Sequence, residues 1–179
     1  MKLSVKKISY LFAGIVVLTA VFIFTKLNVA NAVRVDGKKF GDWSVTCSPA
    51  DDKAKTPEIC LLNQQVNITN EKKEQQPIAL FQLAYVGPKK ELNLILTLPL
   101  GVRLEPGTSI ISSKKLIVPG KYTTCTANGC QAVAAVSDSD LKSILAAAEN
   151  AVAFMSYEGK QMVLPFSAKG LDEGLNYIK

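Results

Sequence analysis

Alternating apolar and polar residues dominate most of the chain beyond residue 38. The clearest run is 92–98, in which Leu92, Leu94, Leu96 and Leu98 would share one face of a strand. Turn-forming residues separate short runs of this kind, a pattern that favours antiparallel pairing over a parallel sheet with crossover helices. The predicted strands cover residues 40–47, 59–68, 78–86, 92–98, 109–118, 121–125, 131–136, 151–157 and 161–164.

Two segments have helical spacing instead. Ser137 can cap the first helix, because its hydroxyl can accept a hydrogen bond from a free amide of the first turn. A second, shorter helix follows Gly170. The predicted inward-facing residues are Leu141, Ile144, Leu145 and Ala148 in the first helix and Leu171, Leu175 and Ile178 in the second. The expected fold is therefore mainly β, a single antiparallel sandwich-like or barrel-like domain with one or two short helices near its C-terminal end.

The N-terminal 32 residues have the order of a secretory signal peptide. Three lysines precede an apolar run at 11–24, and the triplet Ala30-Asn31-Ala32 follows it. Cleavage is expected after Ala32, although Lys26 and the length of the apolar run leave retention as a membrane anchor open. In either case residues 33–179 form one exported domain.

The charge of the whole chain is misleading about its partners. The net charge of +6 includes Lys2, Lys6, Lys7 and Lys26, and the exported part keeps 17 basic and 15 acidic residues. A nucleic-acid-binding domain would show a basic surface of its own. We therefore expect no nucleic acid partner, and membrane contact only through an uncleaved N-terminal segment.

All four cysteines lie in the exported part, where an oxidising compartment allows them to pair. A tight reversal at Asn128-Gly129 would bring Cys125 and Cys130 within disulfide distance. Cys47 and Cys60 would then form the second disulfide. The alternative is a four-cysteine zinc site, which the spacings fit poorly and which no histidine could support.

Candidate catalytic residues are few. The chain has no histidine, which removes the usual general base near neutral pH and the nucleophilic triads that depend on it. The carboxylate pairs at 51–52 and 172–173 are typical of solvated loops or helix starts. Ser-Ser-Lys-Lys at 112–115 offers a Ser–Lys pair without supporting motifs, and Trp43 is expected in the core. We predict no catalytic, cofactor-binding or metal-binding residues, and hence no enzyme.

The segment at 40–47, Phe-Gly-Asp-Trp-Ser-Val-Thr-Cys, resembles the opening of the invasion-associated locus B family of bacterial exported proteins. Further pieces of the resemblance follow in the family's order across residues 39–178. They are Cys60-Leu61-Leu62-Asn63-Gln64, Leu98-Pro99-Leu100-Gly101-Val102 with Leu104 and Gly107, Tyr122-Thr123-Thr124-Cys125, Gly129-Cys130, Pro165-Phe166-Ser167, Gly170-Leu171 and Leu175.

The resemblance implies a Gram-negative protein of the periplasm or outer membrane, linked by name to host-cell invasion and virulence. The family has no established reaction, so it implies no catalytic residues. The expected function is binding to other envelope proteins or to a surface ligand, alone or within an envelope or secretion assembly. Sheet edges or the loops at 48–57 and 69–77 would carry it. The oligomeric state is left open.

The alternative function is a periplasmic carrier of lipids or small ligands. In that case the leucine face of 92–98 would line a cavity instead of a solid core. A carrier of this kind needs an enclosed apolar pocket of at least roughly 300 Å³.

Overall fold

The computed structural model describes residues 34–51, 53, 55–69 and 73–179. Ten strands and two helices lie within these residues, which confirms the prediction of a mainly β domain. The strands are β1 (Lys39–Phe40), β2 (Trp43–Ser48), β3 (Ile59–Thr69), β4 (Gln75–Val86), β5 (Glu91–Leu98), β6 (Thr108–Ser112), β7 (Lys115–Thr126), β8 (Gly129–Ala135), β9 (Asn150–Met155) and β10 (Gln161–Phe166). The helices are α1 (Asp138–Ala146), between β8 and β9, and α2 (Leu171–Ile178), after β10.

All ten strands belong to one antiparallel sheet. Their order is β1-β2-β3-β4-β5-β8-β7-β6-β9-β10. Most strands pair with their neighbours along the chain, because the connections between them are short. The order changes where β8 returns to pair with β5 and where β9 pairs with β6. As a result, β1 and β10 lie at the two edges of the sheet.

The leucine face of β5 lies at the centre of the core, as predicted. Leu92, Leu94, Leu96 and Leu98 are all buried, whereas the alternate positions are half-buried. Side chains from both halves of the sheet and from α2 pack against this face. Burial of each such leucine side chain stabilises the fold by about 1.5–3 kcal/mol before the entropy cost of ordering it.

The predicted first strand, 40–47, is interrupted in the structure. Gly41 and Asp42 form a turn, so that Phe40 pairs with Trp43 across a two-strand hairpin. The apolar residues on both sides of the turn concealed it in the sequence. The same turn contacts the chain segment that follows β10.

The predicted strand 109–118 also contains a turn, at Ser113-Lys114, where both residues have positive φ (47° and 65°). Two such residues form the tight hairpin that suits the twist of paired strands. The predicted break at Pro119-Gly120 instead lies inside β7. There β7 changes partner, pairing with β6 up to Gly120 and with β8 from Lys121. A Cβ at Gly120 would overlap the Thr108 hydroxyl, so glycine is needed for this close approach and not for a reversal.

The two helices begin as the sequence predicts. The Ser137 hydroxyl accepts a hydrogen bond from the Asp140 amide, and the Asp140 carboxylate accepts one from the Ser137 amide. Helix α1 ends at Ala146, so Ala148 is exposed beyond it and the prediction that it faces inward is wrong. Helix α2 buries the three predicted residues Leu171, Leu175 and Ile178.

Neither helix in the described part of the chain is long and apolar enough to cross a bilayer. The predicted signal peptide or anchor at 1–32 lies outside the described residues.

Candidate binding site

The candidate nucleophile Ser112 has a structural role. Its buried hydroxyl donates to the Asn150 side-chain oxygen, and the Asn150 amide group donates to the Ile144 carbonyl at 2.9 Å. These bonds tie the end of α1 to the start of β9. Lys114 and Lys115 are exposed at the neighbouring turn, away from any such network. The carboxylates at 172–173 are exposed in the first turn of α2, where they favour the positive helix end.

The structure contains the two disulfides Cys47–Cys60 and Cys125–Cys130. Each joins residues directly opposite each other in an antiparallel strand pair. Glu58 lies close enough to the first pair to suggest a metal site, but the two sulfurs are bonded to each other and offer no thiolate.

In the loop closed by Cys125–Cys130, the chain reverses at the turn 127–128. This turn lies one residue earlier than predicted, because Gly129 already belongs to β8.

The two disulfides are expected to differ in their contribution to stability. Replacing Cys47 and Cys60 by serine should lower the free energy of unfolding by about 3 kcal/mol, because that bond closes the longer loop. The same change at Cys125 and Cys130 should cost about 2 kcal/mol, since its residues are separated by only 5 positions. Urea unfolding of both double variants measures the difference. A larger loss for the shorter loop would contradict this ranking.

Tyr122 has a buried hydroxyl with no hydrogen-bond partner among the described residues. Its ring packs against the core. Burial raises the pKa of the Tyr122 hydroxyl to about 12, because the charged phenolate is poorly solvated there.

This raised pKa predicts a loss of stability at alkaline pH. Between the unfolded pKa of about 10 and the folded pKa of about 12, the unfolded chain binds fewer protons than the folded chain, so stability falls as pH rises. Tyr122→Phe should remove this part of the fall and should be at least as stable as the parent at neutral pH, because an unsatisfied buried hydroxyl is lost. The test compares the urea midpoints of unfolding at about pH 8 and about pH 11 for the parent, Tyr122→Phe and the control Tyr157→Phe, whose side chain is exposed. An unchanged fall in Tyr122→Phe would contradict the assignment.

The space against the leucine face is too small for a ligand. A pocket of about 10 Å³ lies between the sheet and the two helices, lined by apolar side chains that include Leu94, Ile144 and Leu171. A lipid or small-ligand carrier would need a far larger volume. Within the described residues, the leucine face is therefore part of a filled interior.

A network that we call the latch joins the two ends of the sheet. The Trp43 indole N–H donates to the Ser167 carbonyl at 2.8 Å, and the Ser167 amide donates to the side-chain oxygen of buried Gln64 at 2.8 Å. The Asp42 amide donates to the Lys169 carbonyl at 3.1 Å. The chain after β10 is thereby held against the β1–β2 turn, which gives the sheet its barrel-like closure.

Two glycines allow the backbones of the latch to touch. Gly41 (φ 55°) and Gly170 (φ 80°) both adopt positive φ. A Cβ at Gly170 would overlap the Phe40 carbonyl, and a Cβ at Gly41 would overlap the Lys169 carbonyl. The first and last pieces of the family resemblance thus meet in space at one structural contact.

Among the described residues, the edge strand β10 has backbone groups without a partner strand. The Ser156 amide donates to the Lys160 carbonyl, which fixes the alternation of the β9–β10 ladder. By that alternation, residues 161, 163 and 165 direct their backbone groups away from β9. Pro165 fits this position because it has no N–H to pair. The amides of Gln161 and Val163 therefore face the open edge.

We call the gap beside this edge the seam. It lies between β10 and the second half of β3, because β2 pairs with β3 only as far as Asn63 whereas β3 continues to Thr69. The groove here has a volume of about 520 Å³ and is lined by Asp42, residues 64–67 and residues 165–167. The hydrogen bond between Ser167 and Gln64 closes one end. Of the described residues that line the groove, Asp42 alone is charged.

A second groove, of about 860 Å³, lies between the β4–β5 turn, the start of α1 and the end of α2. The Lys90 ammonium donates to the Lys179 carbonyl at 3.0 Å, and Asp138 lies in the same wall. Burial, and then the charges of Asp138 and Asp172, raise the pKa of the Tyr85 hydroxyl. Basic and acidic side chains both line this second groove, so its charge does not define one class of ligand.

Of the predicted binding elements, the sheet edge is the one that lies beside an open groove among the described residues. The loop at 48–57 contains a bridge between Asp51 and Thr56, whereas Thr69 ends β3 and residues 75–77 begin β4, so the predicted loop at 69–77 is shorter than expected. The seam itself was missed because it joins segments 103 residues apart. The uncharged run at 161–166, with its proline, was the local signal of an edge strand.

Comparison with known proteins agrees with this architecture. Residues 43–179 match the family model described as Invasion associated locus B (IalB) protein. No curated protein matches the chain. The structure is similar to the crystal structure of invasion associated protein B from Bartonella henselae, with a TM-score of 0.61 and 15% sequence identity over 79% of this chain and 92% of that chain. That identity supports the fold alone, whereas the family model covers most of the sequence, and the chain therefore belongs to the invasion-associated locus B family.

Proposed function

We propose that this protein is exported to the periplasm or outer surface of a Gram-negative bacterium and acts in host interaction by binding another protein, without catalysis. The observation that carries the proposal is a disulfide-bonded sheet with a filled interior and, within the described residues, an uncharged edge strand that has no strand neighbour on one side. Such an edge offers backbone groups for recognition, and the packed interior leaves no space for an enclosed lipid or small ligand.

Export is supported by two independent features. The signal-like segment at 1–32 predicts passage across the inner membrane. The disulfides fit a compartment without strong thiol reductants. The family name supports a role in invasion. Membership of an envelope or secretion assembly is a narrower form of the same proposal.

The proposal is tested by recovering the tagged full-length protein from bacterial envelopes after brief chemical crosslinking. We expect one protein partner, whose recovery saturates as the amount of tagged protein rises, and disulfides that remain intact. A matched variant without the cysteines at 47 and 60 should bind less, because its scaffold is less stable. Recovery of the protein from the cytosol with free thiols, or with chaperones alone, would contradict the proposal.

A further inference from the structure

We propose that the seam binds a single extended strand of the partner protein, which adds to the free edge of β10. This inference rests on the proposed function and names the surface that would perform it. Strand addition is a recognised mode of peptide binding in which main-chain hydrogen bonds supply affinity and alternate side chains supply specificity.

The backbone of β10 carries the first part of the inference. Gln161 and Val163 direct their N–H and C=O groups to the open edge, away from β9, and the carbonyl of Pro165, which lines the groove of the seam, continues this row. These groups are spaced two residues apart, so an occupant with extended backbone can bond them in register. Edge strands are commonly protected by charged side chains, and β10 has none between its first and last residue.

The side chains define the chemistry of the occupant. Met162 and Val163 are 42% and 51% exposed, so the centre of the bound strand should be uncharged and apolar on at least one face. Asp42, which is exposed, lines the groove near its closed end, where its backbone carbonyl accepts a hydrogen bond from the Gln64 side chain at 3.5 Å. A lysine or arginine at the corresponding end of the strand would complement this charge.

The geometry favours a free segment over a second copy of this chain. The seam has a second wall, formed by β3 from Gln64 onward, which has no strand neighbour on that side among the described residues. A flexible extended segment can enter between two walls. The β10 strand of a second copy is already paired with β9 and would bring its whole sheet against β3.

The experiment uses the full exported protein and ten-residue peptides that it selects from a random phage-displayed library. Selected peptides are expected to contain an uncharged core with one terminal lysine or arginine and to bind with 1:1 stoichiometry in calorimetry. Val163→Pro removes an edge amide while leaving the bonds to β9, and should weaken binding at least about tenfold. The matched control Val163→Thr keeps the amide and should bind within about twofold of the parent.

Two further measurements keep the result interpretable if Val163→Pro fails to fold, as judged by near-ultraviolet circular dichroism of Trp43. Peptides methylated at alternate backbone nitrogens should lose binding to the unmodified protein, because their main-chain donors are removed. Asp42→Asn should weaken binding about threefold and reduce its dependence on salt. Because only the Asp42 backbone belongs to the latch, this variant is expected to fold normally.

Several outcomes would overturn the inference. They are the absence of any selected peptide, binding that survives both backbone methylation and Val163→Pro, and self-association through Val163 without peptide binding. A photo-crosslinker placed at Val163 is compared with one placed at Leu116, which is 64% exposed on β7. This comparison distinguishes strand addition at the seam from protein binding elsewhere on the surface. A partner captured from Leu116 and not from Val163 would reject the seam and leave protein binding intact.

Discussion

Gly170→Ala is expected to lower the free energy of unfolding by about 4 kcal/mol or more, which is at the upper end of single-residue effects. Two costs combine at this position. The left-handed backbone (φ 80°) disfavours any residue with a Cβ by about 1–2 kcal/mol. The new Cβ would also overlap the Phe40 carbonyl, so the backbones of the latch would have to separate.

Gly37→Ala is the matched control. Gly37 has nearly the same backbone conformation (φ 79°), but a Cβ there would meet nothing within 4 Å. Gly37→Ala should therefore lower the free energy of unfolding by only about 1–2 kcal/mol, which is the cost of the left-handed backbone conformation. Urea unfolding of both variants isolates the contribution of close contact. Equal losses would show that the latch can relax, and would remove the structural reason given for Gly170.

The parts of the fold that the sequence predicts are those fixed by local periodicity. The leucines of β5 alternate because one face of the strand is buried, and this rule requires no knowledge of the neighbouring strands. Ser137 and Asp140 likewise form a local capping box within four residues. Such features are legible because the residues that cause them are adjacent in the chain.

The predictions that were wrong concern short segments whose residues are compatible both with a turn and with a strand. Pro119-Gly120 resembles a turn, but it marks the point where β7 exchanges β6 for β8. Ser113-Lys114 contains neither glycine nor proline, yet it forms a hairpin because both residues accept positive φ. Tertiary pairing decided both cases, and the local sequence did not distinguish them.

The candidate site depends even more on tertiary structure. Trp43 was correctly expected in the core, but its bond to the Ser167 carbonyl spans 124 residues and has no local signal. The open edge of β10 follows from where the sheet ends. Residues at 40–43 and 165–170 that carry the family resemblance build the latch, and the resemblance is therefore explained by how the sheet closes, without reference to a ligand.

Replacing Trp43 should separate the packing function of the latch from its hydrogen bond. Trp43→Ala is expected to cost about 3–5 kcal/mol, because the side chain is 1% exposed and its removal leaves a large cavity. Trp43→Phe keeps much of the buried area but leaves the Ser167 carbonyl without its donor, for a loss of about 1–3 kcal/mol.

Hydrogen exchange then identifies where the stability is lost. In Trp43→Phe we expect faster exchange at the amides of Ser167 and Asp42, which belong to the latch, with little change in β5. Leu96→Ala, in the centre of the core, is the control, because it should lower stability throughout the sheet. Exchange that accelerates uniformly in both variants would mean that the latch does not open separately. The two ends of the sheet would then act as one cooperative unit, and the seam beside them would be as rigid as the core.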